Sequence, residues 1–486
     1  MSDTLAPVRP GRLIIGGEAV DAASGATFTT TNPATDEPIT TVAEAGPEDV
    51  DRAVKAARTA FEGPWAKLKP IDRSRVLWKL GDLVLEHADE LARLETLDNG
   101  KPIFESRLVD IDMVARCFQY FSGWSTKLAG QTTAVNPALF TYTLREPVGV
   151  VGAIIPWNFP MIMVAWKAAP ALAAGNTVVL KPAELTPLTA IRIGELALEA
   201  GLPPGVLNIV PGKGRVAGEA LVKHPGVDKI SFTGSTEVGR HLMRTASDTL
   251  KKLTLELGGK SPNIVFADAD LDAALKGATA GIYYGKGEVC GAGSRLLVER
   301  AIHDEFVGRL VERAKKLAPA DPLDPKTRLG SLVSRTQMER VLGYVEAGVQ
   351  EGAQLAAGGK AQPVNGKGAF VQATVLTGVD NRMRVAQEEI FGPVLAVIPF
   401  DGVDDALAKA NDVPYGLASG VWTRDVKKAH TVARRLAAGT VWVNMYGFYD
   451  PGMPFGGVKG SGFGRDLGEA CLHDVTQVKG VWLNLE

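Results

Sequence analysis

The feature that most restricts the fold of this chain is a repeated alternation of short apolar segments with helical segments. The segments rich in Val and Ile are "VGVVGAIIP" (148–156), "NTVVLKP" (176–182), "VLNIVPG" (206–212) and "VDKISFTGS" (227–235), and a stretch with apolar residues at helical spacing follows each one. Strands that are apolar on both faces are typical of parallel sheets covered by helices on each side. The alternation therefore predicts an α/β fold built from βαβ units.

A second α/β series begins near Gly259. Its predicted strands are "SPNIVFADAD", "SRLLVE", "VLAVIPF", "SGVWT" and "TVWVN". The first ~125 residues instead predict short strands followed by helices, which are "EDVDRAVKAARTAFEG" and "SRVLWKLGDLVLEHADELARLETLDNGK", the latter ending at an Asn-Gly helix stop. The tail "VTQVKGVWLNLE" alternates like an exposed strand that could pair outside its own domain.

One uncharged stretch, Pro147 to Trp166, has about the length of a membrane span. Pro147, Pro156 and Pro160 interrupt it, and Asn158 lies near its middle. Because interior prolines break helices, the stretch predicts a buried strand and then a loop that enters a helix. We expect no membrane segment.

Composition excludes several other classes of protein. The 486 residues carry a net charge of −2, so no basic surplus favours nucleic-acid binding. Three cysteines are too few for a disulfide framework, and the N-terminus lacks the apolar run of a signal peptide, so a cytoplasmic location is expected. The six histidines are scattered, and we expect no protein metal site.

Two glycine clusters are candidates for a phosphate site. "PGKGRVAG" has one residue too many for G-x-G-x-x-G, whereas in "FTGSTEVG" Phe232 ends a strand, Gly234 makes a turn and Ser235 opens a helix. A helix N-terminus suits a pyrophosphate, although a plain N-cap explains the same residues equally well. Lys181 and Glu184 in "VVLKPAELTP" follow another strand, where a carboxylate would accept ribose hydroxyls and repel a 2′-phosphate; alone, the segment is also typical of a solvated loop.

Cys290 lies among four glycines in "GKGEVCGAGSR". Such a loop gives a nucleophilic thiol access and lets backbone N–H groups point inward, although a free cysteine is more often a small buried residue. Glu256 ends the apolar strand in "LTLELGGKSP", and Asn158 lies between two prolines in "IIPWNFP". A nucleophile, a carboxylate base, an amide donor and a dinucleotide site form a coherent set.

Together these stretches resemble the aldehyde dehydrogenase superfamily, in its NAD(P)-dependent, non-acylating, class 1/2-like form. The resemblance covers nearly the whole chain and rests on motifs that occur in order: "PWNFPMIMVAWKAAPALAAGN", "KPAELTP", "FTGSTEVG", "LELGGKSPNIVFADADLD", "GEVCGAGSR", "QEEIFGPV", "NDVPYGLASGVWT" and "MPFGGVKGSGFGRDLGE". Any one of them is weak evidence, but their order leaves no room for chance.

The resemblance implies catalytic roles for five residues. Cys290 matches the nucleophile, Glu256 the general base, and Asn158, with the Cys290 backbone N–H, the oxyanion hole. Lys167 matches a lysine that helps to organise the site, and Asp466 stands where many members have a glutamate proposed to relay protons.

The resemblance also implies a cofactor site and a substrate tunnel. NAD is expected, with NADP less favoured, at Ile154, Pro156, Trp157, Lys181, Ala183, Glu184, Gly214, Phe232, Gly234, Ser235, Leu257, Glu389 and Phe391. The tunnel would be lined by Met163, Trp166, Tyr449 and Phe455, whose apolar character suggests medium aliphatic or aromatic aldehydes, unless these residues are simply core.

The implied reaction oxidises an aldehyde to the carboxylic acid through a thiohemiacetal and a thioester on Cys290, which Glu256-activated water hydrolyses. The chain departs from the family at Gly285 and Glu288, where Asn and Gln are usual. A carboxylate beside the thiol would disfavour the thiolate, unless Glu288 points away and pairs with Lys286 or Arg295. A catalytically weak or non-catalytic member of the fold therefore stays an alternative, as do an acyl-transferring enzyme and a thiol hydrolase without redox chemistry.

The implied fold has a Rossmann-like cofactor domain over residues 1–124 and 148–258 and an α/β catalytic domain over 259–457. Residues 125–147 and 474–486 are expected to form a small β extension that bridges subunits. Exposed strands need partners, so a homodimer or homotetramer is expected.

Overall fold

The structure is a computed structural model that describes residues 7–486. Its strands in chain order are β1 Leu13–Ile15, β2 Glu18–Val20, β3 Thr27–Asn32, β4 Glu37–Ala43, β5 Leu139–Pro147, β6 Val150–Ile154, β7 Thr177–Lys181, β8 Leu207–Ile209, β9 Lys229–Thr233, β10 Lys252–Glu256, β11 Pro262–Val265, β12 Arg295–Glu299, β13 Gln354–Ala357, β14 Thr374–Thr377, β15 Val394–Phe400, β16 Ala418–Trp422, β17 Thr440–Val443, β18 Gly462–Phe463 and β19 Thr476–Asn484.

The α-helices surround these strands. In chain order they are α1 Pro47–Glu62, α2 Pro64–Lys67, α3 Pro70–Glu86, α4 Ala88–Asn99, α5 Ile103–Glu105, α6 Ile111–Ser122, α7 Pro160–Ala173, α8 Leu188–Glu199, α9 Glu219–Lys223, α10 Thr236–Ala246, α11 Leu271–Tyr283, α12 His303–Lys316, α13 Arg335–Gln350, α14 Arg384–Gln387, α15 Gly402–Asn411, α16 Val426–Arg435 and α17 Ala470–Asp474.

Two large sheets organise residues 7–486. The first has the strand order β18-β10-β9-β6-β7-β8-β1-β2, in which β10, β9, β6, β7 and β8 run parallel. The second has the order β13-β14-β15-β12-β11-β16-β17, and β13 alone pairs antiparallel there. The central strands β6, β7, β9 and β11 are buried along their whole length, as strands covered by helices on both faces must be. The predicted α/β fold is confirmed.

The uncharged stretch around Pro156 divides as the sequence predicts. It supplies the end of β5, the buried strand β6, a loop, and the start of α7 at Pro160. Within the described part of the chain, every helix falls short of the length and apolarity that crossing a membrane requires.

The long helical segment before Gly100 is two helices rather than one. His87 leaves the helical conformation, with φ −98° and ψ 21°, and its ring lies 3.0 Å from the Glu90 carboxylate in the first turn of α4. The break lets α4 turn away and pack against α8. The predicted stop at Asn-Gly is confirmed, because Gly100 ends α4 in the left-handed conformation with φ 83°.

The segment expected to bridge subunits is strand only in part. The strand occupies Leu139–Pro147, and the tail strand β19 pairs with it antiparallel in a register of nine residue pairs. The sides of this ribbon expose apolar residues, among them Phe140, Val478 and Trp482, which are 46%, 60% and 65% exposed.

Candidate active site

The residues singled out in the first sheet lie at the carboxyl ends of its parallel strands. Ile154 ends β6, Lys181 ends β7, and Glu256 ends β10. The loop after β6 carries Asn158 into α7. Because parallel strands end at a common edge, these side chains share one edge of the sheet, which is where open α/β sheets bind ligands. Pro156, Trp157, Ala183, Gly234, Ser235 and Leu257 lie in the loops at the same edge, beside Phe232 near the end of β9.

Cys290 reaches this edge from the second sheet, on the loop between α11 and β12. Three successive residues in that loop, Gly285, Lys286 and Gly287, are left-handed, with φ of 55°, 62° and 72°. A Cβ on Gly287 would lie 2.2 Å from the Gly392 carbonyl oxygen, so only glycine fits there. This tight turn carries the thiol to the end of a cavity.

The environment of Cys290 favours the neutral thiol. Burial raises its pKa to about 12, and the carboxyl groups of Glu389 and Glu256 add to the rise. The backbone N–H groups of Gly291 and of Cys290 itself oppose it. The thiolate is the nucleophile in cysteine chemistry, so reaction at this sulfur requires that its proton be removed.

Glu256 is a buried carboxyl group with unsatisfied oxygens. Its Oε1 and Oε2 make no well-formed hydrogen bond within residues 7–486, and a Cβ on Gly456 would lie 2.6 Å from Oε1. Burial raises its pKa well above the usual range, and Asp466 adds to the rise, while Lys167 opposes it. Lys167 and Asp466 form a buried ion pair of 2.6 Å. A carboxyl group with a raised pKa accepts a proton more readily than an ordinary carboxylate does, which suits a general base.

The Asn158 side chain links the two halves of the site. Its Nδ2 donates to the Glu288 carbonyl oxygen at 2.9 Å, which is its one hydrogen bond among the described residues, so a second amide hydrogen is available to a ligand. Asn99, the last residue of α4, holds the same loop by donating from Nδ2 to the Trp157 carbonyl at 2.8 Å.

The Glu288 carboxylate is paired within its own loop. Its Oε2 lies 2.8 Å from Lys286 Nζ, and its Oε1 accepts from the Val333 N–H at 3.1 Å. Arg295, the other candidate partner from the sequence, donates instead to the Lys260 carbonyl at 3.0 Å. Gly285 donates its N–H to Glu105 Oε2 at 3.1 Å. Both departures from the family pattern are therefore accommodated by hydrogen bonds.

A cavity of about 330 Å³ leads to Cys290. Its wall is mainly apolar and aromatic and includes all four residues expected in a tunnel, Met163, Trp166, Tyr449 and Phe455. Tyr449 packs edge-on against Phe455 with ring centroids 5.3 Å apart. The charged residues of the wall, Asp112 and Arg116, belong to an ion-pair set in which Arg116 also lies 2.5 Å from Asp450.

The residues expected to hold a dinucleotide offer matching groups. Lys181 Nζ lies 3.2 Å from Glu184 Oε2, and although burial acts to raise the Glu184 pKa, Lys181 and the Gly214 N–H outweigh it and lower that pKa. The carboxylate is thus charged, half-exposed and able to accept hydroxyl groups. Ser235 caps α10 by accepting from the Val238 N–H at 3.3 Å, next to the buried, unbonded Thr233 Oγ1.

Glu389 and Phe391 face this edge from the second sheet. Glu389 accepts from the Gly259 N–H at 3.0 Å, and burial raises its pKa to about 7 against that hydrogen bond. The backbone of Phe391 is in the left-handed conformation, with φ 62°. Its ring packs edge-on against the Trp157 ring, with the ring centroids 5.1 Å apart. A carboxylate for hydroxyl groups, a helix N-terminus for a pyrophosphate and an aromatic wall fit NAD. Among the described residues, no cluster of His, Cys, Asp and Glu resembles a metal site.

Several contributors escape sequence reasoning. In the sequence, Asn99 is recognisable only as part of a helix stop. The cavity wall also contains Val109, Met113 and Tyr284, which the sequence analysis did not identify. Helical spacing in "DMVARCFQYF" indicates a buried face, but nothing local to that segment points to the thiol, whose residue number is more than 160 positions away.

Comparison with known proteins supports the same assignment. A model of the aldehyde dehydrogenase family matches residues 19–481. The chain is 50% identical to mitochondrial aldehyde dehydrogenase of Homo sapiens over 473 residues, covering 97% of this chain and 91% of that protein. The structure superposes on aldehyde dehydrogenase from Bacillus cereus in complex with NAD+ with a TM-score of 0.97 and 49% identity, covering 98% and 97% of the two chains.

A further similar structure is the P. syringae indole-3-acetaldehyde dehydrogenase AldA in complex with NAD+ and IAA. It has a TM-score of 0.96 and 49% identity, covering 98% of this chain and 97% of that one. From the family match across residues 19–481, together with the fold and the arrangement of Cys290, Glu256 and Asn158, we conclude that the chain belongs to the aldehyde dehydrogenase family.

Proposed function

We propose that the protein oxidises an aldehyde to the carboxylic acid, with NAD as the oxidant and Cys290 as the nucleophile. One observation carries the proposal. Cys290 ends an apolar cavity, the Glu256 carboxyl group is near enough to raise the Cys290 pKa, and the Asn158 amide donates to the backbone two residues before the thiol. Neither a binding protein nor a structural protein needs a buried carboxyl group such as Glu256, whose oxygens lack a well-formed hydrogen bond, because its desolvation is costly.

The residues divide the chemistry between them. Once deprotonated, Cys290 Sγ adds to the carbonyl carbon, and the Asn158 amide and the backbone N–H of Cys290 stabilise the oxyanion of the thiohemiacetal. NAD, when bound, supplies the acceptor for the hydride that leaves this carbon. Glu256 then takes a proton from water, which attacks the resulting thioester and releases the acid and the Cys290 thiol. Lys167 and Asp466 set the charge beside Glu256.

Several residues would hold the cofactor. Lys181 and Glu184 would bind ribose hydroxyls, the start of α10 at Ser235 would receive the pyrophosphate, and Glu389 and Phe391 would hold the nicotinamide riboside. The B. cereus relative was solved in complex with NAD+, which supports the choice of cofactor. The negative charge of Glu184 would repel a 2′-phosphate, so NAD is favoured over NADP.

The substrate class follows from the cavity wall. Aromatic and aliphatic side chains favour medium aliphatic or aromatic aldehydes, and the one arginine of the wall is already paired with Asp112 and Asp450. An aldehyde that carries a carboxylate would therefore find no free positive charge in this wall. The relative named as an indole-3-acetaldehyde dehydrogenase is consistent with an aromatic substrate.

The test is NADH formation by purified protein over a panel of aldehydes. We expect turnover with hexanal-sized and aryl aldehydes, at higher kcat/KM than with a semialdehyde that carries a carboxylate, and higher with NAD than with NADP. Absence of turnover with every aldehyde and both cofactors would contradict the proposed function.

A substitution at Glu184 tests the cofactor assignment separately. Glu184→Ser removes the ribose acceptor and the repulsion of a 2′-phosphate, so we expect KM for NAD to rise about tenfold, the scale of one charged hydrogen bond. KM for NADP should fall, and kcat should change little. The matched control is Glu312→Ser on the exposed face of α12. Unchanged KM values for both cofactors would remove Glu184 from the cofactor site.

The rival functions have less support. The non-catalytic alternative rested on Gly285 and Glu288, but the Gly285 N–H donates to Glu105 and the Glu288 carboxylate is paired with Lys286. An acyl-transferring enzyme would lose its thioester to water activated by Glu256, and a hydrolase without redox chemistry would not need the dinucleotide groups.

The proposed assembly depends on the two-stranded ribbon. The exposed apolar ribbon of β5 and β19 favours a homodimer or homotetramer, because exposed strands with apolar faces seek partners. The cytoplasmic location and the division into domains at 124, 147, 258 and 457 stay predictions.

A further inference from the structure

Glu288, one of the two residues that distinguish this cysteine loop from the usual family pattern, belongs to a closed ring of buried contacts. Lys286 Nζ donates to the Asn99 side-chain oxygen at 2.7 Å and to the Asn99 carbonyl at 2.9 Å. Asn99 Nδ2 donates to the Trp157 carbonyl at 2.8 Å, which places the next residue, Asn158. Asn158 Nδ2 donates to the Glu288 carbonyl at 2.9 Å, and the Glu288 carboxylate returns to Lys286 at 2.8 Å.

Every side chain in this ring is buried. Asn99 is 0% exposed, Lys286 and Glu288 are 1% exposed each, and Asn158 is 6% exposed. Buried charges that are paired and hydrogen-bonded hold their partners in one arrangement, whereas removing one partner leaves a costly unpaired charge. The ring is also anchored outside itself, because Glu288 Oε1 accepts from the Val333 N–H.

The ring joins the two loops whose relative position matters for the reaction. One loop carries Cys290, two residues after Glu288, and the other carries the Asn158 amide. Lys286 lies in left-handed backbone, with φ 62°, which costs energy for a residue with a Cβ. That conformation turns its ammonium group inward to the contacts with Asn99 and Glu288.

We propose that the Lys286–Glu288 ion pair is a positioning device that fixes the distance between the Asn158 amide and Cys290. The inference rests on the proposed function, since it concerns stabilisation of the oxyanion formed on Cys290. Neither Lys286 nor Glu288 lines the cavity that leads to Cys290. Each acts through Asn158, whose amide donor is held by the Glu288 carbonyl.

A double-mutant cycle tests this dependence. In the presence of NAD, Glu288→Gln is expected to slow the first turnover of NADH formation by about tenfold. This factor is smaller than the one for removing an oxyanion donor, because the Asn158 amide would be displaced but still present. In the Asn158→Ala background the same substitution should change that rate by less than about twofold, because the group it positions is gone. A residue that only stabilised the fold would give equal factors in both backgrounds.

Further variants keep the test decisive if Glu288→Gln does not fold. Asn99→Ala breaks the ring at another point, leaves both charges in place, and should show the same dependence on Asn158. Replacing both charges at once, with Lys286→Gln and Glu288→Gln, removes the ion pair without leaving an unpaired ion, so the first turnover should stay about tenfold slow, and recovery of the parental rate would contradict the positioning role. The exposed Glu312→Gln is the control, and NAD affinity should be unchanged in all of them.

The outcomes separate the two proposals. If the unaltered protein forms no NADH with any aldehyde, the proposed function fails. If it turns over but Glu288→Gln and Asn99→Ala have no effect, or have the same effect with and without Asn158, the positioning role is wrong while the dehydrogenase activity stands.

Discussion

Replacing Cys290 with alanine is expected to abolish aldehyde-dependent NADH formation, by about 10⁴-fold or more, the scale on which enzymes lose turnover when their covalent nucleophile is removed. No other thiol can take its place. Cys117 and Cys471 are buried, with exposed fractions of 0% and 3%, and burial raises the pKa of each well above the usual range. Neither lines the cavity that leads to Cys290.

The measurement pairs turnover with NAD binding. Cys290→Ala removes one sulfur atom from the end of the cavity, so NAD affinity, read by calorimetry, should stay within about twofold of the parent. Cys117→Ala is the matched control: it loses some stability through the space it leaves but should keep its turnover. Residual turnover above about one per cent in Cys290→Ala would exclude Cys290 as the nucleophile.

Replacing Glu256 with glutamine is expected to separate the two halves of the reaction. The amide keeps the size of the side chain but cannot accept a proton from water, so the thioester should form and then persist. We expect one NADH per active site in a burst, followed by steady turnover reduced about 10²–10⁴-fold, the usual contribution of a general base.

Stopped-flow absorbance measures both phases, and mass spectrometry should find the acyl group on Cys290. Exposed Glu312→Gln again serves as the control. A variant that shows neither burst nor turnover would mean that Glu256 also takes the proton of the thiol, whose pKa of about 12 leaves it protonated near neutral pH. A variant with parental turnover would exclude Glu256 as the base.

Much of this site could be predicted because several of its residues lie at the ends of apolar strands, which the sequence shows directly. The end of an apolar run marks the carboxyl end of a strand in the sequence. The residues at these ends, Lys181 and Glu256, must share one edge of the sheet if the strands are parallel. The family pattern then joins Cys290 and Glu389 to that edge from the second sheet. The position of each strand-end residue depends only on the strand that precedes it, so it can be predicted from the local sequence.

What could not be predicted depends on distant contacts. The direction of the Glu288 side chain is set by a tight left-handed turn and by Asn99, which lies 187 residues before Lys286. The break at His87 interrupts an apolar pattern that runs on without a gap, because packing of α4 on α8 decides it rather than propensity. The β extension expected over residues 125–147 is a paired strand only from Leu139, because its partner β19 lies far later in the chain and pairs only with Leu139–Pro147.

The edge strand β18 has a consequence for how the chain is made. Gly462 and Phe463 pair with Glu256 and Leu255, and Asp466 closes on Lys167, which is 299 residues earlier. During synthesis, Glu256 and the strands of the first sheet that precede it are therefore made long before β18 and Asp466. Contacts this distant in sequence slow folding and leave an open sheet edge meanwhile. A truncated or stalled nascent chain that lacks β18 would expose that edge.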